Sequence, residues 1–406
     1  MGCATSAYAV GARKKRRKNI PESAVFVPPL CVPFRSDLLQ QQLNGIAPKI
    51  VIDRLTCLRN QIQLVAEGTG GSAVSELRGA LDEYLSLLTG LLKTTNDGLE
   101  GCLEFKWKSL EGNGRRDLDC TQSNQESCFT NIWFEILSVL YMMAVMALSE
   151  ANSLMIPKDC SGSGTRVIPT ECKRNAVDLL IKASGYLEFC SRQILVHVPP
   201  EMKDKMPEEM QEGVIQALSI QALGQGTEIQ LGLAIESQKA TLSVKRRLAC
   251  EQVLYFTQAY QCLSDCEVSH GCPKKLIRFI YWKFLEAKAA AYYYNGLVTD
   301  KGNEPACHVS AVCCFLAASE ILAESKKECL SFCLAPPVTR APPLWGVMKH
   351  LHQKIPEVAS RKSQMYGYLL EQDKALQFLP ELPDFQLSLR PDEFQLPGVG
   401  DPVEES

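Results

Sequence analysis

The residues with the clearest chemical potential are the first six, from Met1 to Ser6. Removal of Met1 would leave the amine of Gly2 at the start of the chain, and Ser6 stands where an N-myristoylation signal carries a small hydroxyl residue. The adjacent thiol of Cys3 is suited to a palmitoyl thioester. The spacing therefore predicts that Gly2 and Cys3 carry lipid, with a chance match in a solvated tail as the alternative.

An unbroken basic run follows this signal. It consists of Arg13, Lys14, Lys15, Arg16, Arg17 and Lys18. A single myristoyl chain holds a protein at a membrane only weakly and reversibly, so stable attachment needs a second chain or a basic run. Each base near an anionic leaflet contributes about 1 kcal/mol. We therefore expect residues 1–21 to form a flexible lipidated arm on an anionic membrane surface, with a nuclear-import patch as the alternative interpretation.

The distribution of charge separates this arm from the rest of the chain. The basic run holds six of the 43 Lys and Arg residues, and residues 1–18 contain no acidic residue. The remaining chain therefore carries 37 basic against 46 acidic side chains. A basic arm on a mildly acidic body predicts a membrane-facing end and argues against nucleic acid as a partner of the body.

A second group of chemically capable residues lies much further along the chain. It consists of Cys262, Cys266, His270 and Cys272. Zinc sites usually combine two closely spaced pairs of ligands, and the second pair is missing here. A Cys–His nucleophilic pair lacks a local signature that would place the cysteine at a strained turn or a helix start. We expect packing cysteines, no cofactor and no small-molecule substrate, and keep a cysteine-dependent enzyme or a zinc protein on a helical scaffold as the alternative function.

The 18 cysteines of the chain are expected to be reduced. They are scattered through apolar stretches, and no secretory signal precedes them. The longest uncharged apolar stretch, from Ile136 to Ser149, is too short to cross a bilayer. These features predict a location in the cytosol or on the cytoplasmic face of membranes, at the endosome or the plasma membrane.

Helical periodicity dominates from about residue 37 and predicts an all-α fold. One apolar face recurs at helical spacing between Leu77 and Leu92. Further helices are predicted at 129–156, 171–196, 208–235, 238–262, 274–299, 305–333 and 357–377. Long helices with short joints favour a solenoid of tetratricopeptide-like hairpins, although no strict sequence period accompanies them.

Extended segments are predicted at both ends of this helical region. The segment from Val25 to Phe34 combines β-prone residues with prolines, which is typical of short edge strands or extended chain. The C-terminal tail, including Leu379–Pro383 and Phe394–Pro397, is also predicted to be extended and to cover apolar surface on the helical body. Between them, Gly224-Gln225-Gly226 lacks a preceding strand and a phosphate-loop lysine, so it indicates close helix packing and not a nucleotide site.

Four helical segments resemble, in order, the motifs of the BRO-one domain, which forms the N-terminal part of Alix and related endosomal proteins. They are Trp133–Tyr141 continuing through Ala147–Ala151, Ala183–Leu187, Gln221–Glu228 and Glu286–Tyr294. The resemblance covers residues 22–397 and leaves 398–406 as a disordered tail. With the Gly2-Cys3 start and the Pro342–Gly346 segment, the chain is similar to the plant type of single-domain protein, the endosomal targeting BRO-one-like proteins.

This resemblance implies a curved helical solenoid that acts as a non-enzymatic adaptor in multivesicular body sorting and vesicle trafficking. In the family, an exposed apolar patch binds the C-terminal amphipathic helix of a charged multivesicular body protein, an ESCRT-III subunit. The matching positions are Val244 and Leu248, which share a helix face. A third position, aromatic in relatives, falls at Gln230 or Leu231, and we take Leu231. Ordinary core packing of Val244 and Leu248 is the alternative interpretation.

Overall fold

Helices make up most of the structure, a computed structural model that describes residues 20–34, 39–69, 73–95, 104–110, 126–156, 168–264, 266, 271–342, 346–372 and 379–398. The helices in these ranges are α1 (Leu39–Leu43), α2 (Lys49–Thr69), α3 (Val74–Thr95), α4 (Ile132–Met155), α5 (Thr170–Phe189), α6 (Pro200–Lys203), α7 (Glu212–Glu236), α8 (Leu242–Ser264), α9 (Gly271–Thr299), α10 (Pro305–Leu334) and α11 (Gly346–Gln372). The strands are β1 (Leu30–Pro33), β2 (Phe105–Leu110) and β3 (Glu126–Phe129). The all-α class with a small extended segment is confirmed.

Consecutive helices pack against one another in chain order, which is the arrangement of a helical solenoid. From α7 onward each helix packs on the next, through α8, α9 and α10 to α11, while α4 packs on α5 and α5 on α7. Each helix thus buries its apolar face mainly against its neighbours in the array. The curved solenoid predicted for the chain is confirmed.

The most enclosed element is α4. All of its residues from Phe134 to Leu148 are buried, and the side chain of Asn131 caps it by accepting the Trp133 N–H at 2.7 Å. A helix that is apolar on every face is stable only when other elements surround it. This explains why α4 contacts α3, α5 and the sheet.

A buried carboxylate ties α4 to the sheet and to the first helices. Glu135 accepts hydrogen bonds from Trp107 Nε1 at 2.6 Å and from the Tyr84 hydroxyl at 2.7 Å, and it forms an ion pair with Arg59. Arg59 also donates to the carbonyl of Lys106 at 2.7 Å. Because every partner of the carboxylate comes from a different element, the network fixes how α2, α3 and β2 sit on α4.

The sheet is antiparallel with strand order β1-β2-β3. Leu30 lies opposite Leu110, and Phe105 lies opposite Phe129. The prediction of an edge strand between Val25 and Phe34 is confirmed by β1, whereas β2 and β3 were not expected. The alternation of apolar and basic residues in Phe105-Lys106-Trp107-Lys108 was the available signal, because it places both aromatic side chains on the buried face.

The last helix differs most from its predicted bounds. The sequence predicted a helix over 357–377, whereas α11 spans Gly346–Gln372 and contains Pro356 in its interior. Proline removes one backbone donor and is usually a helix boundary. Here the buried side chains of Leu351 and Ile355 hold the turn before Pro356 against the core, which outweighs that local cost.

The C-terminal tail lies extended along the helical body, as predicted. The buried apolar residues of the protein form three clusters, and apolar side chains of the tail contact each of them. Leu382 and Phe385 pack against one cluster, Leu389 packs against a second, and Phe394 and Leu396 pack against the third. The tail therefore bridges parts of the solenoid that lie far apart in the chain.

Candidate partner-binding surface

The two residues proposed for partner contact lie at the start of α8. Val244 is 44% exposed, and Leu248, one turn later, is half-buried. Leu248 packs against the core cluster formed by the ends of α7 and α9 with α10 and α11. An i, i+4 pair on one helix face, with one member exposed, offers apolar surface to a partner helix while staying anchored below.

Leu231 does not belong to this surface. Its exposed fraction is 0%, and it lies inside the same core cluster. The structure therefore excludes direct partner contact by Leu231 and corrects the expectation. The reason is that α7 is buried on most of its circumference, so that Leu231 and the adjacent Gly232 are both inaccessible.

Basic residues lie close to Val244 and Leu248 in the sequence. Lys239 and Arg247 are exposed, and Lys245 and Arg246 are half-buried. Among these, Arg247 is neutralised by Glu251 at 2.6 Å. An apolar pair with a cationic rim suits a partner helix that carries acidic residues beside its apolar face.

The C-terminal tail closes one side of this surface. Phe385 packs against the cluster that holds Leu248, and the guanidinium of Arg246 lies 6.0 Å from the centre of the Phe385 ring. Arg246 also donates to Asn295 Oδ1 at 3.3 Å. The tail thus positions part of the basic rim.

Three charged residues to which the sequence analysis assigned no role meet in the interior. Lys283 donates to Glu228 Oε1 at 2.8 Å and to Glu286 Oε2 at 3.0 Å. Burial raises the pKa of the Glu228 carboxyl, and the nearby Lys283 ammonium opposes this effect. The i, i+3 spacing of Lys283 and Glu286 on one helix was the only sequence signal of this cluster.

The predicted lipidation sites Gly2 and Cys3 lie outside the described residues, and so does the basic run Arg13–Lys18. Their roles stay predictions.

The cysteine cluster shows no ligand geometry in the part that is described, which omits His270. The Cys266 thiol donates to the carbonyl oxygen of Cys262, one helical turn earlier, at 3.6 Å. Burial raises the pKa of the Cys262 thiol, which disfavours the thiolate that zinc binding or nucleophilic attack requires. Among the residues that the structure describes, no three metal-binding side chains come together and no disulfide forms.

Two of the described helices are long and apolar enough to cross a membrane by length and composition, α4 and α10. The most apolar window of α4 is 89% buried inside the protein, and that of α10 is 39% buried. A core helix of a soluble domain has the same composition as a spanning helix, so this criterion by itself assigns no span.

The fold is similar to solved structures of BRO1 domains. A complex of the Alix BRO1 domain with CHMP4C has a TM-score of 0.65 at 15% identity, with 92% of this chain and 96% of that chain covered. Alix in complex with the SIVmac239 PYKEVTEDL late domain gives 0.63 at 15% identity, over 94% of this chain and 50% of Alix. A Bro1 domain studied for endosomal targeting gives 0.58 at 15% identity and 93% coverage of both chains. At this identity the likeness concerns the fold alone.

No curated protein matches the chain. A family model described as the BRO1-like domain matches residues 36–361. This match spans most of the chain and includes all four helical motifs and the surface around Val244. The chain therefore belongs to the BRO1-like domain family.

Proposed function

We propose that this protein is a non-enzymatic, membrane-anchored adaptor that binds the C-terminal amphipathic helix of an ESCRT-III subunit at endosomes. The observation that carries the proposal is the apolar pair on α8 with its exposed member Val244. Val244 presents its side chain to solvent, and Leu248 supports it from the core cluster below. The complex of Alix with CHMP4C supports this class of partner, since the BRO1 domain of Alix and this chain share the fold.

The basic rim gives the proposed contact its orientation. An amphipathic partner helix would place apolar residues at i, i+3 and i+4 on Val244 and Leu248. Acidic residues on its flank would face Lys239 and Lys245, where complementary charge raises the association rate and disfavours basic partners. With Leu231 buried, two side chains and the rim must supply the affinity.

The N-terminal arm would place this surface at a membrane. We propose that acyl groups on Gly2 and Cys3, with the basic run, hold the arm of residues 1–21 on the cytoplasmic leaflet. The domain of residues 22–397 would then meet ESCRT-III polymers on the same surface. Confinement raises the effective concentration of the two partners, so a modest apolar contact suffices.

The substitution Val244→Asp tests the apolar contact directly. We expect it to weaken binding to a synthetic ESCRT-III C-terminal helix by at least about 2 kcal/mol, or roughly thirtyfold, because a carboxylate replaces a central apolar contact. Fluorescence anisotropy with a labelled peptide measures this loss. Leu248→Asp should bind as poorly but also lower the melting temperature, since Leu248 is part of the core packing.

The matched control is Ile50→Asp on α2, where the side chain is 82% exposed. It introduces the same charge on a distant helix and should leave peptide affinity unchanged. If Val244→Asp keeps both the melting temperature and the peptide affinity of the unsubstituted protein, this surface is not the binding site.

A further inference from the structure

A cavity of about 500 Å³ lies between the N-terminal segment and helices α4, α5, α7, α9, α10 and α11. Its volume falls within the range of roughly 300–1,000 Å³ that is typical of small-molecule sites. Apolar side chains line much of it, including Val25, Met155, Ile229, Trp282 and Met348. The proposed capture of a partner helix on α8 makes no use of this space.

The buried charged side chains in the cavity wall are already paired. Lys283 contacts Glu228 and Glu286 at 2.8 and 3.0 Å, and Lys173 contacts Glu236 at 2.5 Å. Each of these ions has an oppositely charged partner within 3.0 Å, so the wall does not require a charged ligand. An apolar ligand can fill the cavity without leaving one of these ions unpaired.

Two other basic side chains line the cavity. Lys326 is exposed to solvent, so its ammonium stays hydrated. Burial, and secondarily the charge of Lys326, lower the pKa of His352, which keeps its imidazole neutral near pH 7. Neither residue adds a buried unpaired charge that would oppose an apolar occupant.

The segment that follows the N-terminal arm forms part of the cavity wall. Ser23, Ala24 and Val25 line it, and their backbone is held in place: Asn152 Oδ1 accepts the N–H groups of Ala24 and Val25 at 2.7 and 2.9 Å. Gln225 Nε2 donates to the carbonyl oxygen of Ala24 at 3.0 Å. The arm that precedes this anchor point, residues 1–21, has a reach of up to about 70 Å when extended, which is ample to return to the cavity.

We propose that this cavity sequesters the myristoyl chain of Gly2 when the protein is away from a membrane. The inference rests on the lipidation of Gly2 in the proposed function. The acyl chain leaves water in either place, the cavity or the bilayer, so the two states can be balanced. An anionic leaflet then favours release, because the basic run gains its attraction only there.

Acylation of the full chain by co-expression with an N-myristoyltransferase, verified by intact mass, allows a direct test. Without vesicles, the acylated protein should melt several degrees above Gly2→Ala, because a ligand that binds only the folded state raises its stability. Ile229→Trp, which fills the cavity, should remove this increment. Ile50→Trp, on the exposed face of α2, should leave the increase in melting temperature unchanged. Met348→Trp fills the cavity from α11 and replaces Ile229→Trp if that variant fails to fold.

Vesicles of phosphatidylcholine and phosphatidylserine provide the second measurement. Acylated Ile229→Trp should sediment with them several-fold more strongly than the acylated unsubstituted protein, because its acyl chain has no alternative site. Without acylation, the same substitution should have no effect on sedimentation.

Each contrary result has a distinct meaning. If the acylated protein binds vesicles but melts at the same temperature as Gly2→Ala, the cavity assignment is wrong and the anchor stands. If dansyl-undecanoic acid binds the acylated and Gly2→Ala proteins equally, the cavity takes free acyl chains and the assignment is likewise wrong. If the protein gains no acyl mass, the anchor and the inference fail together.

Discussion

Single glycines decide how closely the parts of this fold approach one another. At Gly185 on α5, a Cβ would collide with the carbonyl oxygen of Asp392 in the tail. The N–H of Asp392 donates to the carbonyl of Ile181 at 3.2 Å, so the tail is held by backbone at the point where it crosses the glycine. At Gly224 a Cβ would stand only 3.0 Å from the ring of Phe256. These glycines serve close packing, as the sequence predicted for Gly224.

The substitution Gly185→Ala is therefore expected to destabilise the protein by about 1–3 kcal/mol, because the added methyl group must displace the tail backbone. Gly90→Ala is the matched control, since a Cβ on Gly90 of α3 meets nothing within 4 Å. That change should stabilise the protein by up to about 1 kcal/mol through helix propensity. Urea unfolding followed by circular dichroism measures both. Equal effects of the two substitutions would show that the tail does not cross Gly185 in solution.

At the scale of elements, the tail acts as a strap on the solenoid. Glu251 on α8 has no exposed side-chain surface and accepts the Ser388 N–H and hydroxyl at 2.9 and 2.5 Å. The Tyr255 hydroxyl donates to the carbonyl of Leu389 at 2.6 Å. Further along, the Phe394 ring packs edge-on against Tyr186 of α5. The tail thus links α5 and α8, which are not consecutive helices in the chain.

Removal of the tail should destabilise the fold. A chain ending at Phe378 is expected to lose about 3 kcal/mol or more of its free energy of unfolding. The reason is that several apolar side chains are removed and the apolar surface beneath them becomes exposed; full burial of one such side chain contributes about 1.5–3 kcal/mol. It should also bind the dye 1-anilinonaphthalene-8-sulfonate more strongly. A chain ending at Gly398 keeps every described contact of the tail and serves as control. Unchanged stability of the shorter chain would mean that the tail packs weakly in solution.

At the scale of the whole molecule, charge is divided between arm and body. Six bases lie in residues 1–18, and the rest of the chain has an excess of acids. An acidic body is repelled by an anionic leaflet, so the proposed arm is the part that would face it. In that proposed arrangement the solenoid would stand away from the lipid, with the α8 surface available to a partner.

Replacement of all six bases by Gln should weaken the binding of the acylated protein to anionic vesicles by at least tenfold, because each base contributes about 1 kcal/mol. Sedimentation at several salt concentrations measures this, and the salt dependence should flatten in the variant. A charge-conserving exchange of every Arg for Lys and every Lys for Arg is the control and should bind normally. If the exchange is as harmful as the neutral variant, the run is read by a protein receptor and not by the leaflet.

By itself, the sequence was enough to establish the helical class, the order of the long helices, the edge strand near the N-terminus and the family. Helix periodicity is a local property, and α4 shows it at its strongest because all of its faces are apolar. Extended chain with prolines was equally readable in the tail. The sequence also supplied the lipidation hypothesis, because acylation enzymes read short linear signals.

Only the tertiary structure decided which of the candidate contact residues are accessible and where the protein contains a cavity. Val244 and Leu231 are similar apolar residues on neighbouring helices, yet one is 44% exposed and the other 0%. That difference depends on how α7 and α8 are rotated against the core, which no local pattern encodes. The cavity is likewise a product of packing: its wall joins Val25, Ile229 and Met348 from distant parts of the chain. Burial and enclosure are properties of several elements together, so they follow from the fold and not from residue spacing.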